Sequence, residues 1–206
     1  MLMLDILRKL VQDVDNAPNL LAALDVIVQS VRDALNTEVC SIYLLDERNS
    51  RYVLMATHGL NPDAVGSVSL GLSEGLVGLV GQREELINLE DAASHPRFHY
   101  LPETGEDRYS SFLGVPIMNR RKVLGVLVVQ QQEKRRFGQS EEAFLVTLSA
   151  QISGVVAHAR ALGQLENLHA PKGGVASPRI FHGVAGASGI AMGRAVVIYP
   201  PADLES

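Results

Sequence analysis

Residues 110–131, SSFLGVPIMNRRKVLGVLVVQQ, constrain the fold more than any other stretch of the chain. Two apolar runs, 112–118 and 123–129, are separated by Asn119-Arg120-Arg121-Lys122. A connection that short joins only antiparallel neighbours, so the pair is a β-hairpin. Neither run alternates strictly. Both are nearly continuous in Val, Leu and Ile, the pattern of strands covered on both faces. Further strands must therefore lie beside the hairpin, with helices above and below it.

The remaining sequence supplies them. Ile6, Leu7, Leu10, Val11 and Val14 recur at helical spacing until Asn16-Ala17-Pro18-Asn19 breaks the run. A second helix is expected from near Pro18, a residue tolerated in a first turn, with Leu24, Ile27, Val28, Val31 and Leu35 on its apolar stripe. Residues 39–45 and 52–58 read as a second hairpin, and Val68-Ser69-Leu70 as a short edge strand. Gly71, Gly75, Gly78 and Gly81 punctuate a short helix expected to start after Ser73-Glu74, an N-cap and first-turn acid. Their spacing does not match GxGxxG and no Gly-Lys-Ser/Thr follows, so they are read as close-packing positions and not as a phosphate loop. Residues 86–89 form a short strand, and 90–108 the longest polar segment. Loops of that length inside a compact domain are usually functional or mobile.

Ser140 is expected to cap a long final helix, with Glu141 and Glu142 at its positive end. Leu145, Leu148, Ile152, Val155, Ala159 and Leu162 step by three and four along it. That seam fits either a coiled-coil-like contact with a second copy or one face laid on the chain's own sheet.

The chain of 206 residues carries a net charge of −5, which opposes the basic face that nucleic-acid binding needs. Its basic clusters, 120–122 and 134–136, sit at strand ends and are read as solvated turns. A single cysteine, Cys40, excludes an intramolecular disulfide and fits a reducing cytosol. No signal peptide precedes the first helix and no apolar run approaches a membrane span, so a soluble cytoplasmic protein without membrane contact is expected. His95 and His99 are four apart, but Pro96 lies between them in a loop, and no metal site is expected. The domain boundaries are placed at 1–168 for the α+β unit, 169–177 for a linker, and 178–206 for the start of a second domain at which the chain stops.

The order helix, helix, hairpin, short helix, strand, long loop, hairpin, long helix gives an α+β fold, an antiparallel sheet with helices on both faces. Asp91-Ala92-Ala93-Ser94-His95-Pro96-Arg97-Phe98, Ser111-Phe112-Leu113-Gly114-Val115-Pro116-Ile117, Val123-Leu124-Gly125-Val126-Leu127 and Phe137-Gly138-Gln139-Ser140-Glu141-Glu142 together resemble the signature of a GAF domain. Gly183-Val184-Ala185-Gly186-Ala187-Ser188-Gly189-Ile190-Ala191-Met192-Gly193 is similar to the start of the phosphotransferase module of nitrogen-related enzyme I proteins. Those proteins autophosphorylate on a histidine from phosphoenolpyruvate with Mg²⁺, and pass the phosphoryl group to an HPr-like phosphocarrier. The resemblance places the phosphohistidine beyond this chain, so the chain itself is expected to have no catalytic residue and no cofactor.

The resemblance also implies a small-molecule effector, glutamine or 2-oxoglutarate, held between the sheet and residues 90–108. The candidate ligand contacts are Tyr43, His95, Phe98, His99, Tyr100, Arg108, Tyr109, Ser110 and Ser111. Arg108 is suited to grip a carboxylate, and Tyr and His to orient a polar ligand in an apolar cleft. Cyclic-nucleotide-binding GAF domains carry an Asn-Lys…Phe…Asp-Glu set; here Glu133-Lys134 replaces its first half, against that ligand class. The single cysteine excludes the sulfoxide-reducing GAF type. The alternative is a structural dimerisation module, a homodimer joined through the long helix. Converging polar groups beneath the loop favour the sensor; a space filled by Phe98, Tyr100 or Phe112 favours the scaffold.

Overall fold

A computed structural model describes residues 2–165. The linker and second-domain boundaries expected at 169–177 and 178–206 lie outside the described residues. The elements run α1 (Leu2–Asp15), α2 (Leu20–Leu35), β1 (Val39–Asp46), β2 (Arg51–His58), β3 (Ser69–Gly71), α3 (Gly75–Arg83), β4 (Ile87–Leu89), β5 (Ser111–Asn119), β6 (Lys122–Gln131) and α4 (Gln139–Ala161). One six-stranded antiparallel sheet has the order β3-β2-β1-β6-β5-β4. The predicted hairpin is β5–β6 and β6 is central, which explains why its apolar run is unbroken: Val126, Leu127, Val128 and Val129 are all buried. The hairpin turns through Arg120 (φ 47°) and Arg121 (φ 65°) alone, and both remain exposed. Positive φ at both central residues belongs to the turn whose twist matches the strands.

The two faces of the sheet are covered differently. On one, α1, α2 and α4 bury Leu24, Ile27, Val31, Leu145, Leu148 and Ile152 against Ile42, Leu113 and Leu127. The α4 seam therefore lies on the chain's own sheet. Its last position, Leu162, is exposed. By length and composition α4 is apolar enough to cross a membrane, contrary to the reading that no run approaches one. Its Leu145, Leu148, Ile152 and Val156 are nevertheless core residues of this fold. On the other face α3 and the long loop cover Tyr43, Tyr52, Leu54, Phe112, Val126 and Val128.

α2 begins beside Pro18 as expected, with Asn19 at its N-cap: the side chain accepts the Ala22 N–H at 3.0 Å. The N-cap residues of α3 and α4 differ from expectation. Glu74 occupies the N-cap position of α3, and its carboxylate reaches back to the Gly71 N–H at 2.7 Å. Gly138 begins α4, where Glu141 accepts its N–H at 2.6 Å, so Ser140 sits inside the helix. At neither α3 nor α4 does the N-cap side chain bond a helix N–H; a glutamate that reaches back to an N–H preceding the helix stands in its place.

α3 lies close enough to the sheet to need glycine. A Cβ on Gly81 would stand 1.9 Å from the Tyr52 hydroxyl, and one on Gly114 would stand 2.8 Å from both the Phe112 ring and Val80. Close packing is thus the role of these positions.

Candidate functional site

Residues 90–108 cross the end of the sheet where β5 begins and β6 ends. Short 3-10 turns at Ala92–Ser94 and Glu106–Arg108 shape them. The Ala92 N–H donates to Ser110 O at 2.7 Å, and Asn61 donates its backbone N–H to Thr104 O and its amide to Glu103 O, both at 3.0 Å. Beneath this cover the apolar face of the sheet turns polar at one place. Glu106, half-buried, accepts the Leu101 N–H at 3.4 Å and the side-chain amide of Gln130, which is itself buried at the end of β6. Burial pushes the Glu106 carboxyl above its ordinary value, against the opposing pull of the Leu101 and Gln130 hydrogen bonds and of His99. Tyr43, buried on β1, is pushed up by burial and then by Glu106.

Of the predicted contacts, three gather around this point. Tyr43 is part of the loop-face core and Phe98 packs against it. His99 places Nε2 3.2 Å from Glu74 at the start of α3. His95 is taken up in a local turn, its Nδ1 accepting the Arg97 N–H at 3.1 Å. Tyr100 is 43% exposed and does not fill the space beneath the loop, whereas Phe112 is buried there. Arg108 is exposed and stacks on the ring of Tyr109, 5.1 Å to the centroid. Tyr109 belongs to a separate small cluster with Val39 and Leu60, and its hydroxyl donates to Gly59 O at 3.1 Å. The Ser110 N–H donates to Gln131 O at 2.9 Å as part of the sheet edge. Ser111 is taken up by the backbone: its buried hydroxyl accepts the Arg135 N–H at 2.8 Å and has the Glu133, Arg135 and Glu90 carbonyls as acceptors for its one proton. Among the described residues no three His, Cys, Asp or Glu side chains gather as a metal would need. The Cys40 thiol is buried in the helical core and pushed up by that burial, a poor nucleophile.

The fold and these positions can be set against known proteins. The GAF domain family profile matches residues 19–156. The chain belongs to the GAF domain family. It is 49% identical over 158 residues to a protein of the "Phosphoenolpyruvate-dependent phosphotransferase system" of Escherichia coli, covering 77% of this chain but only 21% of that relative. The chain thus spans about a fifth of the length of the curated relatives it matches. Among solved structures it resembles the GAF domain from an Acinetobacter phosphoenolpyruvate-protein phosphotransferase, at 57% identity and a TM-score of 0.73, covering 80% of this chain and 98% of that one. A GAF domain from the corresponding protein (ptsP) of Coxiella burnetii is 49% identical with a TM-score of 0.76, covering 79% and 97%.

The residues after β6 form a latch between the loop, β4 and α4. Lys134 pairs with Asp91, whose carboxyl is held below its usual value first by that hydrogen bond. Arg135 grips Glu141 through two 2.8 Å bonds and lies over Phe137, 4.6 Å to the centroid. Arg136 reaches Asn88 O at 3.3 Å, and Asn88 bonds both backbone groups of Phe137. Residues 134–136 are therefore engaged cations and not solvated turns, because three acceptors converge on a chain segment that has left the sheet. Sequence reasoning missed Glu106 and Gln130. Gln130 was within reach: it continues the Val126, Val128 alternation onto a buried face, where a polar side chain is out of place. Glu106 sits in an acid-rich loop segment, with nothing in its neighbours to single it out.

Proposed function

We propose that this GAF domain is a small-molecule sensor that controls a phosphoenolpyruvate-dependent histidine phosphotransferase of the nitrogen phosphotransferase system, with glutamine or 2-oxoglutarate as effector. The observation that carries the reading is the convergence of Tyr43, Glu106 and Gln130 within an otherwise apolar layer beneath one loop. Buried polar groups are rarely gathered without a use, since each costs desolvation free energy. Tyr43, Phe98 and His99 are the predicted contacts retained in the proposed site. Similarity to GAF domains of phosphoenolpyruvate-protein phosphotransferases supports the output. The phosphoryl chemistry, its Mg²⁺ and its HPr-like acceptor would belong to the remainder of the longer protein.

The latch offers the route of control. Effector binding shifts residues 90–108, and Asp91–Lys134 and Arg135–Glu141 carry the shift to the start of α4. Thermal unfolding with glutamine, 2-oxoglutarate, cyclic AMP and cyclic GMP tests the sensor. At a hundred times its dissociation constant a ligand adds about 2.7 kcal/mol, roughly 5–10 °C for a domain of this size. Glutamine or 2-oxoglutarate should give that shift. A shift with a cyclic nucleotide alone assigns the domain to the rival class. An autophosphorylation rate of the full-length protein that is unmoved by saturating effector rules out the coupling.

A second reading, a homodimeric scaffold, is favoured by two observations. Phe112 is buried and Phe98 packed in the layer beneath the loop. The solvent face of α4, including Val146, Thr147, Ala150, Gln151 and Gly154, carries no charged residue. Sedimentation equilibrium decides it: a dimer with no effector-induced shift in melting temperature leaves the scaffold ahead.

A further inference from the structure

The far end of α4 is a closed corner. Gly163 adopts φ 71°, its N–H donates to Arg160 O at 3.0 Å, and the Gln164 N–H donates to Ala159 O at 3.0 Å. Two such bonds around a left-handed glycine satisfy the last carbonyls of a helix and turn the chain aside. Leu165 then packs back on the helical core. The helix does not run on past Leu162 as a rod; the chain leaves it through a fixed bend.

Arg160 stands inside that bend and ties it to the sheet. Its guanidinium donates to Leu45 O at 2.7 Å and to the Glu47 carboxylate, so one side chain grips the end of β1 and the turn after it. The planar fork of arginine makes both contacts at once and fixes their direction, which a point charge would not. Leu45 lies two residues along β1 from Tyr43, which belongs to the loop-face layer, and the pairing of β1 with β2 slips between Ile42 and Tyr43. A strand bends and twists most readily at such an irregularity. β1 thus joins the layer beneath the loop to Arg160, and Arg160 joins β1 to the bend.

We propose that Arg160 is the positioning residue that passes the state of the sensor to the chain after α4: a shift of β1 beneath the loop moves Leu45 and Glu47 and, through the guanidinium, re-aims the bend at Gly163. This assignment rests on the sensor reading and adds to it a residue at the opposite end of α4 from the Arg135–Glu141 pair. The signal leaves as a change of direction and not as rotation of a continuous helix.

The test uses Arg160→Gln in the full-length protein and separates recognition from output. Calorimetry gives the affinity for glutamine and for 2-oxoglutarate, and the autophosphorylation rate is measured with each compound at saturation. Arg160→Gln should keep the dissociation constants within about twofold of the parent, while the effector-induced change in rate falls from about fivefold or more to less than about twofold. Arg160→Lys, which keeps the charge but reaches one acceptor at a time, should recover part of the response. A full response in Arg160→Gln overturns the assignment and leaves the sensor reading intact. Weakened binding in Arg160→Gln also overturns it, because the residue then supports the folding of the site and not its output. Binding to the unsubstituted protein without any change in rate overturns the assignment together with the control it serves, and leaves recognition standing. Absence of binding by both compounds overturns the sensor reading itself, and this assignment with it.

Discussion

The two faces of the central sheet show how one fold divides stability from recognition. The helical face is built from long aliphatic side chains on three helices, with Leu24, Ile27, Leu145, Leu148 and Ile152 all 1% exposed or less. The loop face is built from one short glycine-rich helix, 3-10 turns and aromatic residues, and a half-buried carboxylate, Glu106, is hydrogen-bonded within it to the buried Gln130. Aliphatic packing over regular helices gives a large, uniform gain per residue. Glycine contacts and polar groups in the other layer hold shape at lower stability, where a ligand can add to the total.

The comparison can be broken by mutation. Leu148→Ala should show the largest effect, a loss of about 3–4 kcal/mol in urea unfolding, since the cavity opens among residues that cannot collapse into it. Phe98→Ala, on the half-buried rim of the loop face, should cost less than about 2 kcal/mol. Equal costs would mean that the two layers do not differ as described. Gly81→Ala comes next, with an expected loss of about 2 kcal/mol, because the new methyl falls 1.9 Å from the Tyr52 hydroxyl. Adding Tyr52→Ala should make the pair strongly non-additive, measured as a double-mutant cycle.

Two charge substitutions should respond to pH in opposite directions. Arg135 holds Glu141 below the ordinary carboxylate range, chiefly through its hydrogen bonds. Glu141→Gln should therefore cost about 1 kcal/mol at neutral pH, a modest figure because the pair is partly exposed. That deficit is present above the unfolded Glu value and closes as pH falls through the lowered folded one. Glu106 is raised by burial, with His99 and Tyr43 the titratable groups beside it. Glu106→Gln should gain about 1 kcal/mol at neutral pH. The gain shrinks as pH falls from the raised folded value towards the unfolded one. Melting temperatures across about pH 2–8, which spans both the lowered and the raised carboxyl, check both, and parallel profiles would remove the electrostatic distinction between the two regions. The smallest effect is expected at the hairpin tip, which belongs to neither face: Arg121→Gly should gain about 0.5–1 kcal/mol by relieving a positive φ.

The fold was largely legible because its signals are periodic. Unbroken Val and Leu in β6 marked a central strand, and the stripes of α2 and α4 marked the helical core. The α4 seam could not reveal its partner, since the same spacing suits a second helix or a sheet. The N-cap residues of α3 and α4 were misplaced by one or two positions, because a backward-reaching carboxylate, of Glu74 or Glu141, takes over from a local cap. The site was less legible. Loop residues such as Tyr100, Tyr109 and Ser111 have the right chemistry, but their direction depends on which backbone carbonyl or cluster each one finds. Glu106 gains its character from burial under the fold and from Gln130, far away in the chain, as well as from its own loop.

The sheet ends on both sides in strands of three residues, β3 and β4. Beside β4, Asn88 clasps Phe137 while Arg136 takes up the Asn88 carbonyl. A neighbouring molecule seeking to extend the sheet would find few open backbone groups and a guanidinium already on one of them. Short, occupied edges of this kind oppose strand-to-strand aggregation, so the apolar hairpin at the centre can be this rich in valine and leucine without making the folded protein sticky.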